Sequence, residues 1–260
     1  FGVILDDVVA GFYSIILIYE TVIFLMNSMD NYVIPTGCLD EVFHSNGEVR
    51  APYENLLSFF SNLDQAKFQQ LNESAKLSFL NQGITYQVYS NNRKTENIFP
   101  FDLLPRIITP TDWLTIEKGT LQRNLALNLF LKDVYGEGKV FKDKIVPKEM
   151  IYSSAHFCPL MKDFSPQGDI YCHISGTDII KHTDNKFYVL EDNLRSPSGV
   201  SYVLSNRDAL KKVVGNIFKS KKINTVDEYP TELLNILQSV APNVDDDEAN
   251  CVLLTPGMYN

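Results

Sequence analysis

The chain is poor in the residues that build disulfide frameworks and zinc sites. Its 260 residues include four cysteines and four histidines, and neither type recurs at the close spacing of zinc ligands or redox pairs. We therefore expect reduced thiols in a cytoplasmic protein. Internal repeats and low-complexity tracts are also missing, while 45% of the residues are hydrophobic, enough for a substantial core.

Positive charge is scarce as well. The sequence has 23 Lys and Arg residues against 32 Asp and Glu residues, a formal net charge of −9. Such a surplus of negative charge is repelled by nucleic acid and by anionic membrane surfaces. Neither is expected as a partner of this protein.

One apolar segment near the start differs from the rest of the chain. Residues 8–26 are interrupted by a single charge, Glu20, and approach the length of a transmembrane helix. Acidic residues precede the segment where a signal sequence has basic ones, and the first residue is Phe1. These features favour reading residues 1–28 as an extension of doubtful status, with a membrane anchor as the alternative.

Apolar residues recur at helical spacing over residues 53–82, which predicts two helices. Asp112 is placed to cap a longer helix that ends at Tyr135, with Gly119 as a candidate break. The remaining pattern predicts a strand and two further helices, at residues 84–89, 202–218 and 233–240.

A β-hairpin is predicted around residue 184. Residues 179–180 and 187–190 are strand formers. Asp184 and Asn185 between them tolerate the positive φ that a two-residue turn needs. With those two residues as the turn, residue 183 pairs with residue 186, and the pairing continues outward one residue at a time along both strands.

In that register Asp178 lies directly opposite Glu191, and Asn193 points to the same face as Glu191 because side chains alternate along a strand. Two opposed carboxylates repel one another. A hard divalent cation such as Mg²⁺ would offset the repulsion, with Asn193 as a third oxygen ligand. The alternatives are two solvated surface acids or a protonated pair.

A candidate anion-binding loop follows the hairpin. Ser196, Ser198 and Gly199 offer hydroxyl and backbone N–H donors without bulk, and Arg195 adds a planar cation. The N-terminus of the helix predicted next would add further donors. The alternative is an ordinary surface loop, but its place directly after the paired carboxylates favours an anion site.

Asp178 followed by Glu191-x-Asn193 and Pro-x-Gly resembles the metal-binding hairpin of ATP-grasp ligases. A wider set of ordered motifs is similar to the circularly permuted ATP-grasp type 2 family, which is related to glutathionylspermidine synthase. The resemblance covers about residues 32–260. These motifs are GITYQVY at 83–89, FPFDLLPRI at 99–107, QRNLALNLFLKDVYG at 122–136 and VLEDNLRSPSGVSY at 189–202.

The resemblance implies roles for the residues that match the family's motifs. Mg²⁺ would bind to Asp178, Glu191 and Asn193. Catalytic roles are implied for Arg195 and Arg106, and contacts to phosphate or substrate for Ser196, Ser198, Gly199 and Arg123.

One position departs from the family pattern. The related synthase has an Arg where this chain has Gly176. We expect Gly176 to lie opposite Asn193 and leave room for a ligand, with the missing charge supplied by Arg106 or Arg123.

The implied fold is α/β and ATP-grasp-like, a metal-binding lobe with an antiparallel hairpin and flanking helices. Residues 29–250 would form this region. Residues 251–260 resemble the start of a following αβ unit, so the lobe is expected to be incomplete at its C-terminus and inactive by itself.

The implied function is an ATP-dependent ligase that joins a carboxylate to an amine through an acyl phosphate. ATP and Mg²⁺ would be required, and the substrates would be of the amino acid, peptide or polyamine class. One alternative is a non-catalytic fragment or pseudoenzyme that binds a nucleotide or a partner. Another is a metal-dependent phosphoester hydrolase, although no His-rich cluster supports it.

Overall fold

Helices and two antiparallel hairpins make up the computed structural model, which describes residues 32–34, 37–90, 93–98, 101–194, 197–215, 223–241 and 249–254. The apolar segment at 8–26, together with Arg195 and Ser196 of the predicted anion loop, lies outside these residues. In the described part of the chain, no helix is both long and apolar enough to cross a membrane.

The described residues form two compact units. The first comprises the residues up to Asp112, Ile180–Tyr188, and those between Ser198 and Asn224. The second comprises Trp113–Ile179, Val189–Pro197 and the residues from Thr225 onward.

The first unit contains the two helices predicted for residues 53–82. Helix α1 is Glu54–Ser61 and helix α2 is Gln65–Asn81. Asp64 begins α2 by accepting a hydrogen bond from the backbone N–H of Lys67 at 2.6 Å, which satisfies a donor that the helix leaves free. Buried apolar side chains from these helices and the neighbouring loops form the core, among them Phe43, Tyr53, Leu56, Leu57, Phe68, Ala75 and Leu103.

A hairpin follows α2. Strand β1, Thr85–Ser90, pairs antiparallel with strand β2, Arg93–Ile98. The strand predicted at 84–89 is therefore confirmed, whereas β2 was not predicted from the sequence.

The long helix α3 spans Pro110–Tyr135. Its first turn differs from expectation, because the backbone N–H of Asp112 donates to Thr109 Oγ1 at 3.1 Å. Thr109 thus acts as the cap, and Asp112 lies inside the helix. The predicted break at Gly119 is also wrong, since the helix is continuous there.

Short elements follow α3 in the second unit. Helices α4 and α5 are Lys139–Lys142 and Lys148–Tyr152, and 3-10 turns occupy Pro159–Met161 and Gln167–Asp169. The ring of Tyr135 at the end of α3 is stacked against Phe157 and Tyr171, with centroids 5.2 and 6.3 Å away.

The predicted second hairpin is present as strands β3, Gly176–Lys181, and β4, Phe187–Asn193. Helix α6 spans Val200–Val213 and lies against α2, and helix α7 spans Tyr229–Ser239. Both helices overlap the helical patterns predicted at 202–218 and 233–240, and residues 216–218 of the first pattern lie outside the described residues.

The turn of the β3–β4 hairpin differs from the predicted two-residue turn. The backbone N–H of His182 donates to the carbonyl of Lys186, and that of Asn185 donates to the carbonyl of His182, both at 2.9 Å. Residues 183–185 therefore form the loop, with Asn185 alone in the left-handed region at φ 63°. Asp184 instead uses its side chain, accepting from the N–H of Lys186 and the hydroxyl of Tyr188.

Two glycines associated with α3 should respond oppositely to substitution by alanine. A Cβ at Gly119 would meet nothing within 4 Å, so Gly119→Ala should raise the free energy of unfolding by about 0.5–1 kcal/mol through helix propensity. A Cβ at Gly136 would lie 2.8 Å from the carbonyl oxygen of Lys132, so Gly136→Ala should lower it by about 1–3 kcal/mol through overpacking. Urea denaturation measures both, and a destabilised Gly119→Ala variant would contradict the unbroken helix.

Candidate metal site on the hairpin

Three polar residues occupy the outer face of the base of the hairpin. The side-chain amide of Asn193 donates to Glu191 Oε1 at 3.1 Å, which places these two residues on one face. A Cβ built on Gly176 would lie 3.7 Å from the Cβ of Asn193, so Gly176 faces Asn193 across the strands, as predicted. Asp178 lies two residues along β3 and shares that face by alternation. All three side chains are exposed.

This outer face offers hard oxygen ligands. Asp178 and Glu191 carry carboxylates, and rotation of the Asn193 amide would present its oxygen. Such a set fits Mg²⁺, which takes one or two carboxylates and keeps positions for water and phosphate. A larger cluster, with three or more His, Cys, Asp or Glu side chains around one point, is not found among the described residues.

Asp192, between the two outer-face residues of β4, points to the opposite face. Arg123 of α3 donates to both of its carboxylate oxygens, with Nε–Oδ distances of 2.7 and 2.9 Å and an Nη2–Oδ2 distance of 2.5 Å. Thr177 Oγ1 donates to Asp192 Oδ1 at 3.1 Å. The hydrogen bond from Arg123 is the main reason that the pKa of Asp192 lies below its usual range.

The sequence prediction did not single out Asp192. The available signal was its position between Glu191 and Asn193, which turns its side chain to the opposite face of the strand. A carboxylate on that inner face is stabilised by a cation from a neighbouring element. Arg123 had been expected to supply charge to a phosphate, but here it is engaged by Asp192. Its contact with phosphate or substrate stays a prediction.

Arg106 belongs to the first unit and pairs with Glu41. Its Nε lies 2.6 Å from Glu41 Oε2, and its Nη2 lies 2.9 Å from Oε1. This two-pronged ion pair raises the pKa of Arg106. The catalytic role predicted for Arg106 is not tested by this contact.

The loop after β4 corrects one expectation about Gly176. A Cβ on Gly176 would lie 2.9 Å from the Cβ of Pro197, so Pro197 occupies the space that was predicted to admit a ligand. Glycine is needed here for this close packing. Ser198 is exposed, and Gly199, at φ 90°, precedes the first turn of α6.

Helix α3 also holds the segment that leads into β3. Asn124, Asn128 and Lys132 follow one another at four-residue spacing and therefore share a helix face. Asn128 Oδ1 accepts from the backbone N–H groups of Tyr171 and Cys172, at 2.8 and 2.9 Å.

The neighbouring members of this face make similar contacts. Asn124 Oδ1 accepts from the hydroxyl of Ser175 at 2.9 Å, and Lys132 pairs with Asp169 at 2.6 Å. We call the three α3 residues Asn124, Asn128 and Lys132 the polar face of α3.

This geometry and the ordered motifs agree with the comparison with known families. Residues 105–260 match the family described as circularly permuted ATP-grasp type 2, and the chain belongs to that family.

Individual relatives extend over most of this chain. An uncharacterized protein of Synechocystis sp. is 39% identical over 226 residues, which cover 87% of this chain and 47% of the relative. A Mycobacterium leprae protein is 36% identical over 234 residues, covering 90% and 40%. A Frankia casuarinae protein with the name "Putative glutamate–cysteine ligase 2-2" is 30% identical over 223 residues, covering 86% and 25%. The chain thus spans less than half the length of these relatives.

Asn128 should contribute to stability mainly as an acceptor. Asn128→Ala would leave the N–H groups of Tyr171 and Cys172 without their partner, and we expect a loss of about 1–3 kcal/mol in the free energy of unfolding. Asn128→Asp keeps the acceptor and strengthens it with a negative charge, but loses the amide donor to the carbonyls of Asn124 and Cys172, so its loss should be smaller. Chemical denaturation of both variants checks the order, and equal losses would show that the acceptor is not the important group.

Proposed function

We propose that this chain forms the metal-binding region of an ATP-dependent ligase that joins a carboxylate to an amine. The observation that carries the proposal is the outer face of the hairpin, where Glu191 and Asn193 are in contact and Asp178 shares their exposed side. Membership of the ATP-grasp family supports ATP as a substrate. The name of the Frankia relative supports carboxylate–amine chemistry.

In this proposal Asp178, Glu191 and Asn193 hold Mg²⁺. The bound ion would neutralise charge on the phosphate oxygens of ATP. The two carboxylates supply the negative charge that retains a divalent cation, while the neutral amide of Asn193 adds a ligand without further repulsion. Exposure of the face leaves room for the nucleotide.

The proposed reaction has two steps. A substrate carboxylate oxygen attacks the γ-phosphorus of ATP, which breaks the bond to the β-phosphate oxygen and gives an acyl phosphate and ADP. The amine nitrogen then attacks the acyl carbon, phosphate leaves, and the amine loses a proton as the amide forms. Amino acids, peptides and polyamines are the proposed substrate classes.

The loop after β4 would hold the anionic groups during these steps. Arg195 is the cation we assign to the acyl phosphate, since Arg106 and Arg123 already pair with acids. Ser196 and Ser198 would donate through their hydroxyls. Gly199 stands at the start of α6, where the first helical N–H groups have no partner within the helix and favour an anion.

Removing the charge of Glu191 should weaken metal binding without weakening the metal-free fold. Glu191→Gln removes one anionic ligand, so we expect the dissociation constant for Mn²⁺, used as a probe for Mg²⁺, to rise about tenfold or more. Without metal the same variant should be as stable as the parent chain or more stable by up to about 1 kcal/mol, because repulsion from Asp178 is relieved. Electron paramagnetic resonance of free Mn²⁺ and thermal melts provide the two measurements.

Glu149→Gln is the matched control, since Glu149 is an exposed acid that lies in α5 and not on the β3–β4 hairpin. It should bind Mn²⁺ like the parent chain. Equal Mn²⁺ affinity of the Glu191→Gln variant and the parent would reject the metal site. The ligase assignment needs a second measurement: Mg²⁺-dependent ADP release by the full-length protein with a panel of amino acids and polyamines. Metal and nucleotide binding without ADP release would favour a non-catalytic binding protein.

A further inference from the structure

The two ends of the β3–β4 hairpin are paired in different registers. At the turn, His182 lies opposite Lys186. Side-chain contacts agree with that pairing, since the ring of His182 packs edge-on against Tyr188, with centroids 5.6 Å apart, and Lys181 Nζ lies 5.2 Å from the ring centroid of Phe187.

Counting outward from the His182–Lys186 pair would bring Thr177 opposite Glu191. At the base, Thr177 instead bonds to Asp192, and Gly176 lies against Asn193. Strand β4 therefore contains one residue more than β3 between Tyr188 and Asp192, which is a β-bulge. The alternation of side chains reverses at this bulge.

This reversal decides whether Glu191 or Asp192 lies on the same face of the hairpin as Asp178. If the register of the turn continued along the strands, Asp192 would share the face of Asp178, and Glu191 and Asn193 would point to the other side. The observed phase puts Glu191 and Asn193 outward. Some interaction at the base must favour this phase over the one that the turn sets.

The contacts of Asp192 are that interaction. Its side chain is only 9% exposed, and its carboxylate is contacted by two nitrogens of Arg123 and accepts a hydrogen bond from the hydroxyl of Thr177. In the alternative phase Asp192 would lose these partners, and Arg123 would instead face Glu191, whose side chain is one methylene longer. A carboxylate with a bidentate guanidinium partner has a strong preference for one orientation, whereas the exposed side chains of Glu191 and Asn193 bond to each other and keep that contact on either face.

We propose that Arg123, acting through Asp192, is a positioning residue that holds β4 in the phase where Glu191 and Asn193 face outward beside Asp178. This inference rests on the proposed function, because it assigns the outward face to Mg²⁺. It gives Arg123 a role one layer behind the metal ligands, where a partner orients the strand and does not touch the ion.

The test measures Mn²⁺ affinity in the chain with and without the ion pair. Arg123→Gln should raise the dissociation constant for Mn²⁺ about tenfold, the scale typical of groups behind metal ligands. Arg123→Lys keeps the charge but not the planar fork, so it should restore part of the affinity. Thr177→Val removes the smaller partner of Asp192 and should have a weaker effect of the same sign.

Lys132→Gln is the matched control. Like Arg123, Lys132 lies on α3 and forms an ion pair with an acid of the second unit, Asp169, but Asp169 lies in a 3-10 turn outside the β3–β4 hairpin. Its loss should leave Mn²⁺ affinity unchanged, even where thermal melts show a comparable loss of stability. Hydrogen exchange of the metal-free chain gives a second readout, with faster exchange over residues 187–193 expected in Arg123→Gln only.

A double-mutant cycle separates positioning from an independent effect. If Arg123 acts through the ligands, the double variant Arg123→Gln/Glu191→Gln will lose less free energy of Mn²⁺ binding than the sum of the losses in the two single variants. Additive effects, or Arg123→Gln binding Mn²⁺ like the parent chain while Glu191→Gln does not, would overturn the positioning role and leave the metal site intact. An absence of Mn²⁺ binding in the parent chain would overturn the proposed function itself, and the inference with it.

Discussion

The ion pair between Arg123 and Asp192 is the contact on which the geometry of the hairpin base depends. Among the described residues, Val134 is the single buried hydrophobic residue of the second unit, and the other buried hydrophobic residues all belong to the first. Directional polar contacts from α3 therefore position the segment before β3 and the strand β4. Unlike hydrophobic burial, hydrogen bonds and bidentate ion pairs specify orientation as well as proximity. Asn128 fixes the entry to the hairpin in the same manner.

This polar arrangement has a consequence for function. A metal site on a strand needs its ligands on one face, and a shift by one residue sends every side chain to the other face. The bulge in β4 changes the phase of the strand, and Asp192 holds the changed phase on its inner side. Glu191 and Asn193 then share the outer side with Asp178 at the cost of regular pairing. Bulges commonly re-aim side chains next to active sites.

Much of the secondary structure could be predicted because it depends on residue patterns that are local in the sequence. Helices α1 and α2, strand β1 and the second hairpin follow from apolar spacing and strand propensity. The errors also have local causes. Thr109 competes with Asp112 as the cap of α3 and takes the role, and Gly119 is tolerated inside a long helix. In the hairpin, Asp184 stabilises the turn through side-chain hydrogen bonds, so the loop is longer than the strand pattern predicts.

The sequence by itself determined the family, the existence of the hairpin and the identity of the candidate ligands, because these depend on residue types at short spacing. Tertiary structure alone decided the partner of Arg123, the packing of Pro197 over Gly176 and the phase of β4. Each of these joins residues that are distant in sequence or depends on a single residue of register. Periodicity carries no information about which strand residue is extra, since that choice is made by the energy of contacts with another element.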